Sequence, residues 1–441
     1  MKKLIPLLLL LLLALLLTAC SQSGESTAET AADGSAAAEI PSDHTVITFN
    51  GTEVSIRGGG ARDTGSAVVI SAAGVYEVTG VSSEKTLVVN TGDDPMDVTL
   101  ILNNVQITSL SEPCIRVDQA GHFRLQLASG SQNKLIWGEE SMLQSLDPNA
   151  AGAALYSADD MDIEGEGALT ICGYINNGIG CKKDLDINGG VITVTAANNG
   201  IKGNNSVQIK GGSISVSARG DGVKATVTDK EGKGFVEITD GTVAIEAWGD
   251  GVQAATELRI SGGTLAVTAQ GDGLETGSKA LKAEQAVLIS GGTLTLSSRE
   301  DALRCSLGNV EISGGTLDIL ALDDGISAGQ KGSGVGDVLL TGGTLQISAG
   351  KQAVQARGSF QAGDCTLFAL CGSDKQAAPA GHASLLCMVS GPEGDTVTVG
   401  ELGSLTARQS YKRLLCVTGE LSAGTEIAVT NRNGTVNAAV R

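Results

Sequence analysis

The chain has 441 residues, of which 61 are Gly and only 2% are aromatic, and its 49 Asp and Glu outnumber 30 Lys and Arg for a formal net charge of −19. That balance argues against a nucleic-acid partner, and it lets the chain meet an acidic polymer only through bridging cations or local basic patches. So many glycines and so few aromatics suit a core built from ladders of Val, Ile, Leu and Ala.

Residues 1–20 have the marks of a targeting segment. Lys2-Lys3, a Leu-rich run and Leu17-Thr18-Ala19-Cys20 form a secretory signal ending in a lipobox. Small residues before Cys20 favour cleavage there, leaving Cys20 to carry lipid. The alternative is a transmembrane helix. The short apolar run and the Ser/Ala/Glu/Thr tail behind it favour an anchor over a span, placing the protein on the extracellular face of a bacterial membrane. Cleavage leaves 28 cations against 49 carboxylates, a balance of −21. Residues 21–42 are of low complexity and are expected to form a flexible linker.

Residues 43–160 keep a strand rhythm without a consensus and are expected to be N-terminal capping coils, with a short helix or loop at 139–149. From 161 to 380 one sentence recurs. Val310-Glu-Ile312-Ser-Gly314-Gly315-Thr-Leu317-Asp-Ile319 is followed by Asp324-Gly325-Ile326, and Leu258-Arg-Ile260-Ser-Gly262-Gly263-Thr-Leu265-Ala-Val267 by Asp272-Gly273-Leu274. The second glycine of the pair recurs at 190, 212, 241, 263, 292, 315 and 343, and a second landmark ten residues on at 200, 222, 251, 273, 302, 325 and 353. Both series have intervals of 22, 29, 22, 29, 23 and 28, and a fixed period in this range means a solenoid. Alternation of apolar and polar residues marks half-buried strands. The Gly-Gly and Asp-Gly steps mark turns, the latter through tolerance of positive φ. Three short strands per coil give an all-β fold, a right-handed parallel β-helix with coils of ~22 residues. Leucine-rich and calcium-binding nonapeptide signatures are absent. Residues 381–441 are expected to form a C-terminal β cap, because an open solenoid end exposes strand edges. A monomer is expected.

The residue before the second landmark is Asn177, Asn199, Asp221, Asp250, Asp272, Asp301, Asp324, then Gln352. Stacked coils would align five carboxylates about 5 Å apart, repelling by ~1 kcal/mol per pair in water and ~3–4 at an effective dielectric of 20. The column must be well solvated or neutralised, and clustered hard oxygens suit Ca²⁺. Asp250, Asp272, Glu300, Asp301, Asp323 and Asp324 are the candidate metal ligands, with Glu275 close by. Plain turn chemistry is the competing account. Against it, Asp301 keeps its carboxylate although the following glycine has become Ala302.

Lys202, Lys224 and Arg304 stand two places after the landmark, where side chains should point outward, and Trp248 stands two places before Asp250. These are the candidate ligand-binding residues, with Trp248 either stacking on a sugar ring or covering an apolar edge. Inserts near 226–235, 276–286 and 327–337 would line one rim, as groove walls or as solvated loops. Nine cysteines leave eight once Cys20 is lipidated. Cys181 and Cys305 occupy a small-residue position and read as buried hydrophobes about 24 Å apart, beyond disulfide reach. Cys365 with Cys371, or Cys387 with Cys416, could pair. The scattered histidines do not suggest zinc. No catalytic motif stands out, and Ser82 with Lys85 matches a Ser-Lys pattern only in a predicted turn.

The tandem coils behind a lipobox, with Gly74-Val-Tyr-Glu-Val-Thr-Gly80 and Val98-Thr-Leu-Ile-Leu-Asn-Asn-Val-Gln-Ile107 before them, resemble a family of calcium-dependent carbohydrate-binding β-helix proteins of bacterial surfaces, similar in fold to pectate lyases. The resemblance spans most of residues 45–435. It implies Ca²⁺ at the acidic turns, here Asp272, Asp301 and Asp324, and non-catalytic binding of an acidic polysaccharide such as polygalacturonate. A polysaccharide lyase, with Lys224 or Arg304 as the base beside Ca²⁺, is the first alternative. An adhesin or spacer without a glycan ligand is the second.

Overall fold

A computed structural model describes residues 44–92, 96–144, 152–271, 278–332 and 335–441. The chain is all-β and forms a parallel β-solenoid, with one 3₁₀ turn at Glu140–Gln144. It divides into two compact units at Ala218–Arg219. Among the described residues no helix is long and apolar enough to cross a membrane.

In the first unit each regular coil has three strands, such as Asp184–Ile187, Val191–Ala196 and Ile201–Gly203. Alternation decides which residues point in. Leu169, Ile192 and Ile214 stack in parallel register, as do Leu135, Ile171, Val194 and Val216, and all are buried. Each such side chain stabilises the stack by roughly 1.5–3 kcal/mol relative to exposure. The parallel rhythm already runs through Thr45–Gly51, Gly74–Ser83, Val98–Ser109 and Phe123–Leu127. Two antiparallel pairings, Thr45–Gly51 with Glu53–Arg57 and Ala61–Asp63 with Ala67–Ile70, accompany its start.

The second unit repeats the three-strand coil. Val243, Leu265, Leu294, Leu317, Leu345 and Leu367 form one continuous ladder. At the other end, Thr366–Cys371 pairs antiparallel with Tyr411–Val417, which pairs antiparallel with Ser384–Gly391. A four-stranded antiparallel sheet (Gly403–Thr406, Thr396–Val399, Glu426–Asn431, Gly434–Ala439) shares a core with these strands. Arg408 ties this region to the coils through Asp318 at 2.6 Å.

The second glycine of every pair from Gly190 to Gly343 has φ between 75° and 94°, the left-handed region that an L side chain resists. The second landmark works differently from the expectation. Gly222, Gly251 and Gly325 are absent from the positive-φ residues. They are glycines because a Cβ at Gly222 would stand 2.3 Å from Ile245 and one at Gly251 2.1 Å from Val267. The constraint is close packing under the second strand.

Register corrects one coil. Leu281, not Leu274, pairs between Val252 and Leu303 in the third-strand ladder. The landmark there is Ala280, and the residue before it is Lys279. The extra residues of this coil lie ahead of its third strand, between Thr264–Ala269 and Leu281–Ala283, rather than behind it at 276–286. Cysteine pairing is also corrected. Cys365, Cys371, Cys387 and Cys416 are buried free thiols, as are Cys181 and Cys305. Cys365 and Cys371 flank the length of one strand, roughly 20 Å of rise, and Cys387 faces Leu414 while Cys416 faces Leu385.

Candidate metal and ligand sites

Where the second strand of a coil turns into the third, the parallel ladder stops and backbone N–H groups need new acceptors. The residue before the landmark meets that need. In the second unit Asp221 Oδ1 accepts from Asp250 N at 2.7 Å and Asp250 Oδ1 from Lys279 N at 2.9 Å. Farther on, Asp301 Oδ1 accepts from Asp324 N at 3.1 Å and Asp324 Oδ1 from Gln352 N at 2.8 Å. Each carboxylate thus receives the N–H of its counterpart one coil on. This is why the acid at 301 survives beside Ala302: its oxygen, not the next residue's φ, serves the turn.

In the first unit the same corner is built from amides. Asn177 Oδ1 accepts both Asn199 N at 3.1 Å and Asn199 Nδ2 at 2.9 Å, and Asn177 Nδ2 donates to Gly152 O at 2.9 Å. Asn198 Nδ2 donates to Asn176 Oδ1 at 2.9 Å. An amide both donates and accepts, so this ladder closes on itself without charge.

The carboxylate ladder needs cations, because Asp221, Asp250 and Asp324 are 1%, 4% and 5% exposed. Lys224 Nζ lies 2.7 Å from Asp221, Lys282 Nζ 3.3 Å from Asp250, and Arg304 3.8 Å from Asp301. Arg304 also donates to Ser327 Oγ at 2.6 Å and Gly329 O at 3.0 Å. The lysine and arginine expected to face a ligand therefore bend back and neutralise the column. Asp250 is still pushed above the ordinary carboxylate range, chiefly by burial, then against the pull of Lys282 and with the repulsion of Asp221.

Charge is least balanced at the end of the column. Carboxylate oxygens of Asp301, Asp323 and Asp324 lie within 4.8 Å of one another. Lys351 pairs with Asp323 at 2.6 Å, whereas no salt bridge reaches Asp324 among the described residues. Burial pushes the Asp324 carboxyl up to about 6, the Gln352 N–H opposes that, Asp301 and Asp323 raise it further, and the more distant Lys351 ammonium pulls it down. Asp301 is raised by burial as well.

Of the six expected metal ligands the structure thus gathers three. Glu300 turns to Lys279, its ion-pair partner. Asp250 sits on the far side of Lys279 in the column. Asp272, with Glu275, lies outside the described residues, as does Cys20. Trp248 is half-buried with the Arg219 guanidinium 5.6 Å from its ring centroid. Lys202 belongs to the first unit, where it lines a groove with Arg116, Tyr156 and Lys182.

The sequence places Lys279 and Lys282 in the 276–286 insert, a candidate groove wall, rather than in the column, and does not single out Lys351. A signal for the first two exists: Lys279-Ala-Leu281-Lys-Ala283 matches Asp250-Gly-Val252-Gln-Ala254 and Asp301-Ala-Leu303-Arg-Cys305 in the apolar pattern of the third strand.

Comparison with known proteins agrees with this architecture. A family profile described as "Carbohydrate-binding domain-containing protein" matches residues 64–325 and 307–439. A protein of that description from Acetivibrio thermocellus is 35% identical over 129 residues, which is 29% of this chain and 45% of that relative; the match spans under half the relative's length. A solved structure described as the polysaccharide lyase-like protein from C. thermocellum, a gadolinium derivative, is similar at 34% identity and a TM-score of 0.50, covering 56% of this chain and 96% of that one.

Proposed function

This chain belongs to the carbohydrate-binding domain family, and from that premise we propose that it is a surface lipoprotein, anchored through Cys20, that binds acidic polysaccharide of the polygalacturonate type without cleaving it. Ca²⁺ held by Asp301, Asp323 and Asp324 is part of the proposal. The observation that carries it is the trio itself: three carboxylates with oxygens within 4.8 Å, one of them, Asp324, buried with no ion pair among the described residues.

The donor set fits a hard divalent ion. Ca²⁺ takes six to eight oxygens at ~2.3–2.6 Å and prefers carboxylates, and the trio leaves most of that number to water and to a ligand. Bound there, Ca²⁺ would supply a hard positive centre that accepts a uronate carboxylate. The relative's gadolinium derivative adds support, since a trivalent lanthanide seeks the same hard oxygens. Lys224 and Arg304, the bases the lyase alternative would use, are committed to Asp221 and Asp301, which favours binding over elimination.

The test is calorimetry of Ca²⁺ binding, followed by polygalacturonate binding with Ca²⁺ and with chelator. Saturable Ca²⁺ binding lost in Asp324→Asn, together with glycan binding that Ca²⁺ strengthens, is expected. Ca²⁺-dependent growth of unsaturated-uronate absorbance would overturn the non-catalytic part. No effect of Ca²⁺ on glycan binding would overturn the metal part. The anchor is tested by Cys20→Ala, which should release the protein from the membrane fraction.

A further inference from the structure

A groove of the first unit is lined by three cations and a single carboxylate. Four parallel strands bring Arg116, Tyr156, Gly180 and Lys202 into one cross-strand row, each the register partner of the next. Their neighbours along each strand, among them Ile115, Leu155, Ile179 and Ile201, are buried, so by strand alternation the row faces out. The row spans three strand spacings, about 14 Å. At its centre Gly180 is itself buried: Ala153 Cβ and Tyr156 Cδ2 lie 3.0 and 3.7 Å from where a Cβ would stand, so the Tyr156 ring packs beside a residue that has no side chain to displace it. The resulting groove has a volume of about 580 Å³, in the range of sites that hold a small ligand.

Its chemistry is opposite in sign to the chain as a whole. The charged lining residues are Arg116, Lys182 and Lys202 against Glu112 alone, on a chain of net charge −19. Arg116 is shared between Glu112 at 2.8 Å and Asp118, just outside the groove, at 2.9 Å. The Lys182 ammonium lies 5.9 Å from the Tyr156 ring centroid, so an apolar ring and a cation stand side by side. A sugar ring has apolar C–H faces that pack on an aromatic ring, and a uronate adds a carboxylate for a neighbouring ammonium. The corner residues along this groove are Asn176, Asn177 and Asn198, uncharged amides that repel no anion.

We propose that the Arg116–Tyr156–Gly180–Lys202 row binds uronate residues of an acidic oligosaccharide directly, without a metal ion. The inference rests on the acidic-polysaccharide reading and adds to it a site that works when calcium is absent. Tyr156 supports the sugar ring, and Lys182 and Lys202 take the carboxylates.

The experiment is titration of the full chain with a short oligogalacturonate in excess chelator, beside its methyl-esterified form. The wild type is expected to bind the free acid in chelator and to lose about tenfold in affinity for the ester, which has no carboxylate. Tyr156→Ala and Lys182→Gln/Lys202→Gln should each weaken chelator-resistant binding about tenfold with the melting temperature held. Should Tyr156→Ala lower the melting temperature, Tyr156→Leu gives the same reading with the volume kept. The proposal is overturned by loss of all binding in chelator, by equal affinity for the ester, or by wild-type affinity in these variants. Loss in chelator with binding retained in Ca²⁺ sinks this site alone, whereas no binding in either condition sinks the acidic-polysaccharide reading with it.

Discussion

The corner between second and third strands solves one problem with two chemistries. In the first unit Asn177 and Asn199 pass hydrogen bonds up the stack and remain neutral. In the second, Asp221, Asp250, Asp301 and Asp324 accept the same N–H groups but carry charge into a buried position. A carboxylate cannot donate, so nothing within the ladder answers its second oxygen. The answer comes from outside: Lys224, Lys282 and Arg304. The amide corner is a finished structure. Among the described residues no salt bridge reaches Asp324, and that shortfall, rather than the number of acids, is what the proposed metal site rests on.

The sharpest way to break this comparison is to remove a counterion. Lys224→Met should cost about 3 kcal/mol, because the buried Asp221 carboxylate would lose the ammonium 2.7 Å from it. Adding Asp221→Asn converts the corner to the first unit's chemistry and should recover most of the loss. Urea unfolding of the two variants measures both, and a double variant no better than Lys224→Met would refute the equivalence of the corners. The matching change in the first unit is Asn177→Ala. It removes the acceptor of Asn199 N and Asn199 Nδ2 and leaves Gly152 O with the longer bond from Asn176 Nδ2 at 3.3 Å, and should cost about 2 kcal/mol. A loss well under 1 kcal/mol would mean water replaces the amide ladder.

Much of the coil was legible because its strongest signal has one physical cause. Only glycine sits easily at φ near 90°, so the second glycine at Gly190, Gly212, Gly241, Gly263, Gly292, Gly315 and Gly343 could not drift. The second landmark is a softer constraint. It asks for a small residue under a neighbouring coil, which Ala280, Ala302 and Ala353 meet as well, and so Asp272-Gly273 could mimic it at the same offset. The mistaken register put Lys279 in a rim insert and Asp272 in its place in the column. The roles of Lys224 and Arg304 were hidden for another reason. Strand alternation gives the side from which a side chain leaves, but a long chain can fold back three residues to its own corner.

The column's end offers a smaller but more specific effect. Asp324 has its carboxyl at about 6 in the fold against an ordinary 3.8. Its folded value is raised, so the folded state holds the proton more tightly than the unfolded state between those values. Without metal, this group makes the protein lose stability as pH rises from about 4 to 6, by at most about 3 kcal/mol, and contributes nothing further above that window. Asp324→Asn keeps the acceptor oxygen and removes the charge. It should therefore match the wild type below pH 4 and exceed it by about 2 kcal/mol at pH 7 in chelator. A difference that instead grows toward low pH would show that the carboxyl is not raised. Saturating Ca²⁺ should erase the advantage, because the ion stabilises only the chain that binds it.

The least disruptive change asks whether Lys351 is a structural partner or a stand-in for the ion. Its side chain is 65% exposed, and exposed ion pairs are worth ~0–1 kcal/mol, so Lys351→Met should leave stability within 1 kcal/mol of wild type. Its effect on Ca²⁺ is expected to be larger than its effect on folding. The ammonium lies on Asp323, inside the trio, and repels any arriving cation. Removing a charge about 5 Å away at high effective dielectric is worth ~1 kcal/mol, or about fivefold in affinity. Ca²⁺ should therefore bind Lys351→Met more tightly, with the gain shrinking as salt is added. The acid corner would then be completed by whichever cation arrives, lysine in the free protein and calcium in the loaded one. Weaker Ca²⁺ binding in this variant would place the ion elsewhere and leave Asp301, Asp323 and Asp324 as a corner that lysine alone completes.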